Sequence, residues 1–188
     1  MLMQDFAAGL AYKALPEDVL QVLRRSLLDT LGVAAIGSRS KMAQIGTKAA
    51  RMMFGATTES SARCLFDGNN ASAAGAAMAG AMAIDSVDAH DGTSACKGHA
   101  GSAIFPALFA MVDNRTITGQ DLATYLALAY EISYRAGLTQ HDTCADFTPL
   151  ALGPQSGSQL CQRGYWDAVR GKFMKQPGLE NTTAPEAR

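Results

Sequence analysis

The chain has 188 residues, of which 48% are hydrophobic and 18% charged, with a formal net charge of -1. That length supports one ordinary domain with a sizeable core or a piece of something larger, and the near-neutral balance excludes the basic surface that nucleic acid or an anionic membrane requires. The start lacks a basic segment followed by an apolar one, no later run reaches about 18 uninterrupted apolar residues, and Cys64, Cys96, Cys144 and Cys161 include no CxxC pair, so a cytoplasmic protein with reduced thiols is expected.

Pro16 opens the first predicted helix, with Glu17 and Asp18 in its first turn and Val19, Leu20, Leu23, Leu27, Leu28 and Leu31 recurring at helical spacing. It runs into GVAAIG, where Gly32 and Gly37 point to close helix packing or to the C-terminal cap. A second helix is expected from Lys41 to Phe54. Between Thr57 and Asn70 a short apolar run and an Asp-Gly turn signal favour a brief extended segment. Ala71 to Ile84 is so rich in Ala and Gly that a neighbouring helix can approach its backbone closely. Ala100 to Val112 reads as a buried helix that Pro106 kinks or begins.

Thr118 and Asp121 make a capping box, and Leu122, Leu126, Ala129, Tyr130 and Ile132 carry the next helix to about Arg135. The nine methionines, Met52, Met53, Met78 and Met82 among them, fit as core fillers between close-packed helices. The predicted fold class is all-α, a helical bundle-like domain over 1–147. A poorly ordered tail over 148–188 follows, where Gly, Pro, Gln and Ser break every candidate element.

Between the two small-residue runs lies Ile84 to Gly101, IDSVDAHDGTSACKGHAG, with three aspartates, two of the three histidines, a lysine and a cysteine. Burying so many ionisable groups is costly unless they pair or do chemistry, so this stretch is expected to line a cavity. The plainer reading is that Asp85, Asp88 and Asp91 cap the helices on either side. Cys96 and His99 stand at C-x-x-H spacing with His90 and two carboxylates near, a pattern open to zinc, but without a second such pair no metal is expected. His141, beside Asp142 and Cys144, reads as part of a polar helix end. Gly75 to Gly80 lacks the strand-turn-helix context of a phosphate site.

Four stretches, LPEDVLQVLRRSLLDTLGVAAIG, NNASAAGAAMAGAMAIDSVDAHDG, KGHAGSAIFPALFAM and DLATYLALAYEISYRAG, together resemble the MmgE/PrpD family, which includes 2-methylcitrate dehydratase, cis-aconitate decarboxylase and iminodisuccinate epimerase. They fall in the family's order from Leu2 to Phe147, and the KGH and DAHDG spellings are nearest to the epimerase branch. The resemblance implies the helical N-terminal domain of the MmgE/PrpD fold, a smaller α+β domain after it, and pairing as a homodimer. It also implies cofactor-free acid-base chemistry on a small polycarboxylate: loss of water, loss of CO2, or inversion at a carbon next to a carboxylate.

Carried over by position, Asp88 matches the first acidic residue of the family's D-x-D-D-like motif, Asp91 the last, and Thr93 its hydroxyl after a one-residue insertion. His90 departs from the usual acid. His99 matches the histidine of H-P-G or H-P-S, with Ala100 in place of proline, and Lys97 fits the KGH branch. The implied catalytic set is Asp88, Asp91 and His99, with His99 exchanging the proton and the aspartates orienting it or holding a substrate hydroxyl. His90, Thr93 and Lys97 are the implied substrate-binding set, Lys97 neutralising a carboxylate. Arg135, in AYEISYRAG, is expected to reach the site or to pair at the helix end.

After Phe147 family sequences continue with a histidine and a stretch such as H-T-S-G-A-W, whereas this chain has Thr148. One cytosine restored after the Phe147 codon would permit that stretch across Thr148 to Gly153. It would also permit S-A-R-L-L-G across Gln162 to Asp167, the single Trp166 codon forcing the final Leu and Gly, and a closing E-Y-H-G-P-R-S beyond Met174. The expectation is a truncated family member with Thr148 to Arg188 read out of frame and activity impaired. The alternative is a non-catalytic remnant or an oligomerising helical fragment.

Overall fold

The computed structural model describes residues 3–95 and 98–143. Cys96, Lys97 and the tail over 148–188, with the reading-frame expectation that rests on it, lie outside the described residues. Helices carry the chain: α1 Met3–Gly9, a single 3-10 turn Tyr12–Ala14, α2 Glu17–Gly37, α3 Lys41–Met53, α4 Ala73–Asp85, α5 Ala100–Val112 and α6 Gly119–Thr143. The extended segment expected between α3 and α4 is a two-stranded antiparallel ribbon, β1 Ala62–Arg63 and β2 Asn70–Ala71, with Ala62 opposite Ala71 and Arg63 opposite Asn70. Arg63 anchors it to the end of α5: its backbone N–H and its Nε donate to Asp113 at 2.9 and 2.7 Å.

α4 is the hub, packed against α2, α3 and α5, and α5 in turn packs on α6. Its composition explains this role, since Gly75, Ala76, Ala79, Gly80 and Ala83 are buried and let partner backbones come close. Where α2 crosses it, a Cβ placed on Gly37 would sit 1.9 Å from the Ala83 carbonyl oxygen. Where α5 crosses it, a Cβ on Gly80 would meet Pro106 Cβ at 2.6 Å. Pro106 thus lies within α5, where it withholds one backbone donor, and Gly80 makes room for its ring. Behind this seam Ile84, Phe105, Leu108, Leu126 and Leu128 are fully buried, each stabilising the fold by about 1.5–3 kcal/mol relative to exposure.

The ends of the helices follow their sequence signals closely. Ser40 and Ser72 cap α3 and α4, accepting from Ala43 N–H and Gly75 N–H. Thr118 Oγ1 accepts from Asp121 N–H while Asp121 Oδ2 accepts from Thr118 N–H, the expected capping box. α6 continues past Arg135 to Thr143, because nothing after Arg135 forbids a helix and Gly137 is tolerated within one. α1, too short to show a period in sequence, buries Ala7 against the core.

Several apolar positions face outward instead. Val19 and Leu28 of α2 are 36% and 75% exposed, so the buried face of that helix is narrower than its leucine spacing suggests. Met52 and Met53 are 78% and 59% exposed and do not fill the core. α3 turns its small residues Ala43, Gly46, Thr47 and Ala50 inward, leaving Met42, Ile45, Met52 and Met53 on a common exposed face. Met82 does pack as expected, with its side chain lying over Gly46.

Candidate functional site

The polar stretch leaves α4 at Asp85 and enters α5 at Ala100, so both of its ends are fixed to the hub. Ser86 ties the exit down, since its Oγ reaches the Gly37 carbonyl at 3.1 Å and the Ala83 carbonyl at 2.8 Å. The chain then turns at Asp88, which adopts a left-handed backbone with φ +47, a conformation that Asp tolerates better than most side chains. Thr93 and Gly98 bridge across the stretch, Thr93 N–H donating to the Gly98 carbonyl at 3.0 Å and Gly98 N–H returning at 3.3 Å. Half-buried Thr93 therefore closes the base of a small hairpin whose far side presents His99.

Asp91 is the most heavily bonded of the described residues in the stretch. Its Oδ1 accepts from Gly101 N–H at 3.1 Å and its Oδ2 from the Tyr130 hydroxyl at 2.5 Å. His99, immediately before α5, makes no side-chain cap, so Asp91 supplies the acceptor for the first turn from across the loop. Gly101 is required for this, because a Cβ there would lie 2.1 Å from Asp91 Oδ1. Tyr130 sits on α6 with its ring edge on Phe105, centroids 6.1 Å apart. Burial, reinforced by the Asp91 charge, pushes its phenol well above the ordinary value. It is a fixed donor.

His99 and His90 lie against each other with ring centroids 4.4 Å apart and their planes tilted by 57°. His99 Nδ1 lies 3.0 Å from the Asp91 carbonyl oxygen, which can only accept, so Nδ1 carries hydrogen and Nε2 is left as the basic nitrogen. Gly92 backs this edge of the ring, a Cβ there falling 3.0 Å from Nδ1. His90 is the buried member. Its side chain is 1% exposed, with Nε2 3.3 Å from Asp85 Oδ1, but the alignment is not that of a hydrogen bond and neither ring nitrogen has a hydrogen-bond partner among the described residues. Asp88 is exposed and joins His90 and His99 in a cluster whose ligand-type atoms all lie within 4.8 Å of one another.

The structure therefore brings Asp88, His90 and His99 together and links Asp91 to them through its backbone carbonyl. Lys97 lies outside the described residues, and so does the side chain of His141. Arg135 pairs within its own helix, donating from Nε to Glu131 at 2.6 Å one turn back on α6. The aspartate readings merge at Asp91, which caps a helix and also holds the histidine. Tyr130 was missed as a site residue because only its place in the apolar period of α6 stood out; a hydroxyl inside such a stripe is itself the signal, since it must find a partner.

The sequence model of the MmgE/PrpD N-terminal domain matches residues 2–153. No curated protein and no solved structure gives a significant match. With most of its length, and the whole loop from α4 to α5, inside that match, the chain belongs to the MmgE/PrpD family.

Proposed function

We propose that the loop between α4 and α5 is a proton-transfer site for a small polycarboxylate, of the lyase or epimerase kind that the family resemblance implies, working in the cytoplasm without a cofactor. The observation that carries this reading is the fixed tautomer of His99: the Asp91 carbonyl takes Nδ1–H at 3.0 Å and so keeps Nε2 available to remove or return a proton beside a carboxylate. Asp91 positions that ring and is itself held by Gly101 and Tyr130. In this reading Asp88 holds a substrate hydroxyl, His90 and Thr93 contact the substrate, and Lys97, as the resemblance implies, neutralises a carboxylate. The N-terminus of α5 opens directly after His99, and its dipole favours an anion at that end.

The test is deuterium exchange at the carbon next to a carboxylate, followed by NMR in D2O on citrate-like and aspartate-like diacids and triacids. Exchange by the wild-type chain that disappears in His99→Ala supports the reading. No exchange on any such acid, or exchange that survives the substitution, rejects it. A second reading, a self-associating helical unit without catalysis, is favoured by the exposed apolar face of α3 and by Leu28 and Ile36 on α2. Sedimentation distinguishes it: a homodimer that Ile45→Glu with Met52→Glu dissociates supports this reading, and a wild-type monomer removes it.

A further inference from the structure

We propose that Asp88, His90 and His99 form a binding site for a divalent first-row transition ion of the imidazole-preferring class. One potential ligand atom from each residue lies within 4.8 Å of the other two. The feature that sets this cluster apart from an ordinary polar turn is His90, whose side chain is 1% exposed and which has no hydrogen-bond partner among the described residues at either ring nitrogen. Leaving a buried donor or acceptor unmatched costs on the order of 1–3 kcal/mol, and a bound ion satisfies one of the two nitrogens directly.

His99 is prepared for the same role. A metal-binding histidine characteristically donates its other ring N–H to a carbonyl or carboxylate, which fixes the orientation of the ring; His99 makes this contact with the Asp91 carbonyl at 3.0 Å. Asp85 adds a carboxylate oxygen 3.3 Å from His90 Nε2, negative charge that favours a cation beside the rings. Two imidazoles and one carboxylate select zinc, cobalt, nickel or iron over magnesium or calcium, and three protein ligands leave positions open for an outside carboxylate or water. Tetrahedral ligands at about 2.0–2.2 Å from an ion lie about 3.4 Å apart. Exposed Asp88 supplies the side-chain freedom that closes the cluster onto His90 and the held ring of His99.

This site does not rest on the polycarboxylate reading. Where both hold, the ion occupies the lone pair that His99 needs for proton transfer, so metal and turnover exclude each other. The test uses the full chain stripped with a chelator and titrated with Co2+, followed by visible d–d absorption, with Zn2+ titrated by calorimetry. One ion per chain is expected. His90→Ala, His99→Ala and Asp88→Asn should each weaken binding by more than about 100-fold, beyond the 10–100-fold typical of outer-shell partners. Asp88→Asn, at an exposed position, serves where His90→Ala fails to fold. Cys96→Ser should leave the affinity unchanged and no thiolate-to-cobalt band should be seen. Absence of saturable binding, binding that survives His99→Ala and Asp88→Asn, or binding that depends on Cys96 overturns the proposal.

Discussion

The two halves of the loop between α4 and α5 treat their polar groups in opposite ways. Around Asp91 every strong group has a partner: Gly101 N–H and the Tyr130 hydroxyl on the carboxylate, and His99 Nδ1 on the carbonyl. Around His90 the imidazole is buried, its side chain 1% exposed, yet it has no hydrogen-bond partner among the described residues, and Asp88 beside it is open to solvent. A satisfied polar group holds geometry, because losing its partner leaves a desolvated group behind. An unsatisfied one contributes nothing comparable to the fold and remains available to a ligand. The contrast divides the loop into a scaffold half and a binding half, with His99 belonging to both.

The sharpest way to break that division is Asp91→Ala, which strands the Gly101 N–H and the Tyr130 hydroxyl together. A loss of about 3 kcal/mol is expected, a fall of roughly 6–12 °C in Tm by scanning calorimetry. Gly101→Ala should reproduce much of it with the carboxylate still present, by driving it off the helix end. A change in Tm below about 2 °C for Asp91→Ala would assign no scaffold role to that half.

Tyr130→Phe should follow with about 1.5–3 kcal/mol, the range for a hydrogen bond to a charged group, and it carries a pH signature. The phenol is raised above its ordinary value of 10.0 by burial and by Asp91, so the unfolded chain releases the Tyr130 proton first. The Tyr130 contribution is then fully present below pH 10 and declines as the pH rises above it. Wild type should lose stability as the pH rises above about 10 more steeply than Tyr130→Phe, read from urea midpoints on either side of that value, and parallel curves would contradict the placement of the hydroxyl. The smallest effect belongs to the other half: His90→Leu should change stability by less than about 0.5 kcal/mol or raise it, since it removes an unmatched polar group. A urea-measured loss above about 2 kcal/mol would show His90 to be a scaffold residue after all.

Much of the helical framework could be read from the chain. The start of α2 after Pro16, the capping box at Thr118 and Asp121 and the small-residue face of α4 each depend on local chemistry, and each appears where it was expected. The polar stretch was likewise legible as a cluster, because Asp88, His90, Asp91 and His99 are close in sequence. What escaped was set by tertiary partners. Tyr130 reaches Asp91 across 39 positions of sequence, and the outward turn of Leu28, Met52 and Met53 depends on which neighbours α2 and α3 have, a matter no periodicity encodes. Gly101 looked like one more small residue of a buried helix until the carboxylate above it was in place.

The left-handed backbone at Asp88 bears on how this position should vary among related chains. A β-branched or bulky side chain is penalised at such a residue on conformational grounds alone, whereas Asn and Gly are accepted. Natural variation should accordingly be confined to Asp, Asn and Gly even in members that have abandoned any chemistry there, and the ratio of Asp to Asn and Gly, not the exclusion of larger residues, is the quantity that tracks selection for a carboxylate.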